Sequence, residues 1–202
     1  MIAIIDYGVG NLFSLKSSFA AIGQEAIVTS DPAVIHAADR LILPGVGAFE
    51  DAAKKLRDSG MAEIIRSETA AGKPLMGICL GMQLLFDKSY EYGEHEGLGL
   101  IHGCVRPIAE IIDPDLKIPH IGWNALIVKK QSELFRYLNE GDCVYFVHSY
   151  YAADCAESTT ATAEYSAELT ASVESGNVYG CQFHPEKSGD VGLNILRAFC
   201  EI

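Results

Sequence analysis

The stretch Pro74-Leu75-Met76-Gly77-Ile78-Cys79-Leu80-Gly81-Met82-Gln83-Leu84-Leu85-Phe86 passes from one kind of secondary structure to another within a few residues. Pro74 to Ile78 reads as a short buried strand and Leu80 to Phe86 as the start of a helix. Gly77 and Gly81 stand two residues before and two after Cys79, which is the spacing of a nucleophile elbow with cysteine at its apex. Glycines there let the backbone turn sharply and let neighbouring strands come close. Such a turn would hold the thiol at the carboxyl end of a sheet, beside the free N–H groups of the next helix, which favour thiolate over thiol. The amide of Leu80 would be placed to donate to an oxyanion. A free cysteine is also among the most buried residue types, so the pentapeptide alone leaves a structural role open.

Upstream, strand and helix signals alternate. Ile2 to Asp6 is a short apolar run, read as a first strand and not as a signal peptide, since no basic leader or cleavage site accompanies it. Leu12, Leu15, Phe19 and Ile22 recur at helical spacing until Gly23 offers a C-cap. Ala26 to Thr29 is the next strand, and Ser30-Asp31-Pro32 reads as an N-cap with proline in the first turn. Leu41-Ile42-Leu43 forms a third strand, closed by Pro44-Gly45-Val46-Gly47, and a helical pattern then runs from Ala52 past Met61 and Ile65 to Gly72. Continuous apolar strands alternating with helices predict a mostly parallel sheet covered by helices on both faces.

Downstream, Cys143 to Tyr151, Thr159 to Tyr165, Leu169 to Glu174 and Val178 to Phe183 are β-type runs separated by polar turns. They predict an antiparallel or mixed extension of the same sheet. A last helix, Val191 to Cys200, is expected to bury Leu193, Leu196 and Phe199. No repeat or linker divides the 202 residues, so the expectation is one α/β domain spanning 1–202.

Charge narrows the function. Twenty-seven acidic against 15 basic residues give a formal charge of −12, and no Lys or Arg lies between Tyr137 and Glu186. That balance argues against nucleic acid or an anionic membrane as partner, because both are held by Lys and Arg. No apolar run approaches the ~18 residues of a membrane span. Six cysteines without a CxxC or a dense framework read as reduced thiols of a cytoplasmic protein.

A cysteine nucleophile needs a base, and the base needs an orienting group. Of the six histidines, His36 lies in a helix-type segment, and His95 and His102 lie in a glycine-rich stretch. His184 ends a strand and is followed by Pro185, which halts it, and by Glu186. A turn of that kind can present imidazole and carboxylate on one side, although a solvated turn histidine has the same local sequence. Cys181 and His184 are three apart, but i and i+3 face opposite sides of a strand and no second pair completes a metal site. No metal and no cofactor are expected. No phosphate-binding P-loop is present either, and Gly45-Val46-Gly47 lacks the third glycine of a dinucleotide fingerprint.

Gly77 to Gln83 (GICLGMQ) together with Gly180 to Ser188 (GCQFHPEKS) resembles the class I, triad-type glutamine amidotransferases. The resemblance implies that Cys79 attacks the carboxamide of glutamine, His184 shuttles the proton and Glu186 orients His184. Pro44 to Phe49 (PGVGAF) is similar to the family's oxyanion strand, which implies a backbone amide at Val46 or Gly47 beside that of Leu80. Gln83, Gly45 and the backbone at Ser149 and Tyr150 match positions that hold the substrate's amino-acid end. Further segments, IIDYGVGNLFSL (Ile4 to Leu15), GLGLIHG (Gly97 to Gly103), PHIGWN (Pro119 to Asn124) and YFVHSYY (Tyr145 to Tyr151), resemble the glutaminase subunits of imidazole glycerol phosphate synthase, end to end. That likeness implies a heterodimer with a separate (β/α)₈ cyclase subunit, which 202 residues cannot contain. It also implies an interface at Asn11, His120, Trp123, Tyr145 and Lys187, with Trp123 on a partner-facing loop. The other readings are a paralogous synthase that aminates a sugar or another metabolite, and a scaffold that has kept the fold without turnover.

Overall fold

The computed structural model describes all residues from Met1 to Ile202. The amino-terminal half runs β1 (Ile2–Ile5), α1 (Leu12–Ala21), β2 (Ala26–Thr29), α2 (Pro32–Ala37), β3 (Arg40–Gly45), α3 (Phe49–Asp58), α4 (Met61–Ala70), β4 (Leu75–Cys79) and α5 (Leu80–Gln83). Ten strands and one helix follow. They are β5 (Phe86–Ser89), β6 (His95–Glu96), β7 (Ile101–Pro107), β8 (His120–Ala125), β9 (Ile127–Val128), β10 (Cys143–His148), β11 (Tyr150–Ala153), β12 (Thr159–Glu164), β13 (Glu168–Ser175), β14 (Val178–Cys181) and α6 (Gly189–Cys200).

The main sheet has the order β2-β1-β3-β4-β14-β13-β12-β9. Its first five strands pair in parallel, and the rest pair antiparallel. This is the predicted parallel sheet with an antiparallel extension. Alternate residues divide between its two faces. Ala3, Ile5, Leu41, Leu43 and Leu75 pack with Phe49, Leu56, Met61 and Ile65 of α3 and α4. Ile2, Ile4, Ile42, Met76 and Ile78 pack with Leu15 and Phe19 of α1 and with Ile195, Leu196 and Phe199 of α6. Because both faces are covered, these strands are apolar at every position instead of every second one. Two smaller sheets, β11-β7-β5-β6 and β10-β8, lie outside this framework.

Local signals set several boundaries. The side chain of Asp31 accepts the N–H of Ala33 at 2.9 Å, with Pro32 in the first turn of α2. α1 ends at Ala21, with Gly23 just beyond it at φ +74°.

Other expectations need correction. The helical pattern from Ala52 to Gly72 is two helices, α3 and α4, because Gly60 takes φ +76° between them. The helix after Cys79 is one turn only: Leu84 to Phe86 are fully buried and pass directly into β5, so their apolar run reports burial and not helical length. Cys143 to Tyr151 is two strands that part at Ser149, with β10 pairing β8 and β11 pairing β7. In α6 it is Ile195, with Leu196 and Phe199, that is fully buried, while Leu193 is half-buried. No helix is long and apolar enough to cross a membrane.

Candidate active site

Cys79 ends β4 at the carboxyl edge of the parallel strands, where open α/β sheets place their ligands. It sits at φ 56° and ψ −115°, a conformation that L-residues rarely adopt and that costs about 1–3 kcal/mol. The glycines explain how the turn closes. A Cβ on Gly81 would lie 1.9 Å from the carbonyl oxygen of Leu43, and one on Gly77 would lie 2.6 Å from that of Gly81. The elbow therefore packs backbone to backbone on β3, and only glycine fits.

A cleft of about 390 Å³ opens over Cys79, lined by Val46, Gly47, Leu80, Gln83, Ser149, Tyr150, His184 and Lys187 among others. A larger hollow of about 960 Å³ lies away from the cysteine, between β9 and the 131–142 segment. His184 follows β14, its N–H donating to the carbonyl of Tyr145 at 2.9 Å. Its Nδ1 lies 2.8 Å from Oε1 of Glu186, with both side chains buried. The turn after β14 thus joins imidazole and carboxylate as the sequence predicts. Burial works against a positive charge on His184, but the negative charges of Cys79 and of the hydrogen-bonded Glu186 outweigh it and push the pKa up to about 9. A buried tyrosine, Tyr7, has its pKa raised by burial and by Cys79.

Gln83 is buried and donates through Nε2 to the carbonyl of Tyr150 at 3.2 Å and to Oε1 of Gln182 at 3.0 Å. Gly45 is not among the residues that line this cleft. It lies opposite Cys79 in the β3–β4 register and supports the elbow from below.

Four lining residues escaped the sequence reading as site residues: Glu91, Pro119, Val147 and His148. The carboxylate of Glu91 accepts the N–H of Phe49 at 2.8 Å, at the first turn of α3. Burial raises its pKa. The nearest signal was the turn chemistry of Tyr90 to Gly93, which says nothing about an acid reaching a cleft.

The residues expected at an interface divide. Trp123 is 56% exposed and lies in strand β8, not in a loop. It stands opposite Tyr145, with ring centroids 6.0 Å apart, and Lys187 Nζ lies 5.8 Å from the centre of the Tyr145 ring. Asn11, before α1, makes no capping bond with its side chain. His120 is a correction: it is only 3% exposed, stacked on Phe146 and Tyr165, so its side chain does not reach the surface.

An elbow cysteine beside a carboxylate-held imidazole, at the edge of a parallel sheet, is the layout of thiol-dependent amide chemistry on an α/β fold. A family model described as glutamine amidotransferase class-I matches residues 3–201. A protein named imidazole glycerol phosphate synthase subunit HisH, from Lactococcus lactis subsp. lactis strain IL1403, is 48% identical over 99% of this chain and 98% of its own. Its namesake from Methanothermobacter thermautotrophicus is 49% identical over 100% and 98%. A crystal structure titled glutamine amidotransferase superposes over 100% of this chain and 98% of that one, with TM-score 0.78 at 22% identity. The chain belongs to the class-I glutamine amidotransferases, in the branch of the HisH subunits of imidazole glycerol phosphate synthase.

Proposed function

We propose that Cys79 is the nucleophile of a glutaminase and that His184 and Glu186 are its base and orienting acid. The thiolate attacks the side-chain carboxamide of glutamine, and the imidazolium of His184 gives its proton to the departing ammonia. Water, deprotonated by His184, then cleaves the γ-glutamyl thioester to glutamate. Backbone amides at Leu80 and at Val46 or Gly47 would hold the tetrahedral oxyanion. Gln83 and the backbone at Ser149 and Tyr150 would hold the amino-acid end, and Glu91, the carboxylate in the cleft wall, suits its ammonium group. The observation that carries this reading is the strained Cys79 elbow sharing one cleft with the His184–Glu186 pair.

The ammonia is passed to a separate cyclase subunit, which makes imidazole glycerol phosphate and aminoimidazole carboxamide ribonucleotide for histidine biosynthesis. Docking is assigned to the face around Trp123, Tyr145, Lys187 and Asn11. Ile121, two residues before Trp123 in β8, is also exposed, at 58%, as is Ile118, next to the cleft-lining Pro119, at 45%. Six free cysteines suit a reducing compartment such as the cytoplasm.

The test is glutamate release from glutamine with and without the cyclase subunit carrying its nucleotide ligand. Strong activation is expected, and Cys79→Ala removes it while added ammonium salts still support the cyclase. Glutamine use retained in Cys79→Ala would overturn the nucleophile, and indifference to the partner would overturn the acceptor.

A further inference from the structure

His120 and His148 form a buried pair outside the Cys79–His184–Glu186 arrangement. Nδ1 of His120 lies 3.1 Å from Nε2 of His148, and Nδ1 of His148 lies 2.8 Å from the carbonyl oxygen of Tyr150. The proton positions follow from one fixed acceptor. A carbonyl only accepts, so His148 carries its proton on Nδ1. Burial keeps that ring neutral, its pKa pushed down to about 4, so Nε2 offers a lone pair. His120 must therefore donate from its own Nδ1.

The ring of His120 has little freedom to do otherwise. It is held between Phe146 and Tyr165, with centroids 5.0 and 4.3 Å away. The acceptor at the end of the relay depends on side chains. The N–H of Ile108 goes to the carbonyl of Ser149, so Tyr150 and Pro107 form a non-hydrogen-bonded pair of the β11–β7 ladder and the Tyr150 carbonyl points away from β7. The Tyr150 carbonyl is instead shared by His148 and by Gln83 Nε2. Gln83 continues to Gln182, whose Nε2 lies 3.9 Å from Cys79 Sγ. A continuous polar path thus joins His120 to the thiol. At its outer end His120 shares strand β8 with Ile121 and Trp123, both exposed.

We propose that His120 is a positioning residue for the glutamine site. By donating to His148 it fixes the tautomer that holds the Tyr150 carbonyl and Gln83 where they receive the amino-acid end of glutamine, and it ties that geometry to the exposed strand β8. This role rests on the glutaminase reading above.

The experiment uses the full chain with its cyclase partner and nucleotide ligand. His120→Leu removes the donor, and the KM for glutamine rises about tenfold, the worth of one buried hydrogen bond, while kcat stays within about twofold. His120→Asn, whose side-chain N–H lies near the position of Nδ1–H, restores most of the KM. Nitrogen-15 NMR of histidine-labelled wild type shows His148 protonated at Nδ1 and bare at Nε2. Equal KM values in the Leu and Asn variants, or His148 protonated at Nε2 instead, would overturn the role. A wild-type chain that releases no glutamate overturns the glutaminase reading and this role with it, whatever the tautomer, whereas normal wild-type turnover confines any failure to His120.

Discussion

The hydroxyl of Tyr7 donates to the carbonyl oxygen of Pro44 at 2.7 Å, in the interior. Tyr7 follows β1, and Pro44 lies one residue before Gly45, where β3 gives way to the Val46–Gly47 peptide over the cysteine. Gly10 closes on the same proline from another side, since a Cβ there would lie 2.8 Å from Pro44 Cβ. The turn between β1 and α1 therefore grips the root of the proposed oxyanion strand. Tyr7→Phe keeps the ring and leaves the Pro44 carbonyl without its donor, at a cost of about 1–3 kcal/mol. Urea unfolding should show that loss, and partner-stimulated glutamate release should fall several-fold in kcat. Unchanged stability would mean the bond contributes nothing.

Gly81→Ala tests the elbow's close packing. The new methyl would lie 1.9 Å from Leu43 O and 2.8 Å from Leu43 C, both backbone atoms inside β3. No rotamer change relieves a backbone clash, so β4 must move off β3, at more than about 3 kcal/mol. The expected result is a chain that does not fold or melts far below wild type. A native-like melting temperature would show that the elbow is looser than its geometry.

Much of this arrangement was legible in the sequence, for physical reasons that also mark where reading stopped. Strands buried on both faces announce themselves as unbroken apolar runs, so β1, β3 and β4 could be read directly. The break at Gly60 left a trace that the reading passed over: Leu56 and Met61 are five residues apart, about 140° out of helical phase, so the apolar face shifts across it. Strands β5, β7 and β8 carry mixed residues and take their shape from distant partners, as Lys88 does opposite Cys104 and Trp123 opposite Tyr145. In the site, the elbow and the His184–Glu186 turn are local and were visible. Glu91 reaches the cleft through a bond to Phe49, 42 residues away, and the His120–His148 pair spans 28. No spacing rule reports contacts of that kind, which is why His120 read as an interface residue and proved to be interior.

Three histidines shift, His184 upwards and His148 and His120 downwards by burial, and they shape the pH dependence of stability on either side of neutrality. His184 is raised from 6.5 to about 9, burial opposing and Cys79 and Glu186 prevailing. Between those values the folded chain keeps a proton that the unfolded chain releases. Its contribution is complete below pH 6.5 and is lost as pH rises towards 9. His148 is lowered from 6.5 to about 4, mainly by burial. The unfolded chain takes up that proton first, so stability also falls as pH drops from 6.5 towards 4. Urea midpoints across this range should peak near neutrality. In Glu186→Gln one of the groups that raise His184 is gone, so the alkaline decline should end earlier and be smaller. A flat profile from pH 6.5 to 9 would contradict the coupling.

Trp123 is the only tryptophan, and its exposed ring lies edge-on to Tyr145, the ring over which Lys187 of the cleft wall sits. An aromatic side chain more than half exposed contributes little to the isolated chain, so Trp123→Ala should leave its own stability within about 0.5 kcal/mol. Buried at the centre of an interface, the same ring is the type of residue that contributes 2 kcal/mol or more. Affinity for the cyclase subunit should then fall about thirtyfold or more, as measured by calorimetry. The wild-type chain supplies an independent readout, because its fluorescence comes from this one indole. Docking should shift the emission to the blue as water leaves the ring. An unshifted spectrum with undiminished affinity in Trp123→Ala would move the interface to another face and leave the chemistry at Cys79 untouched.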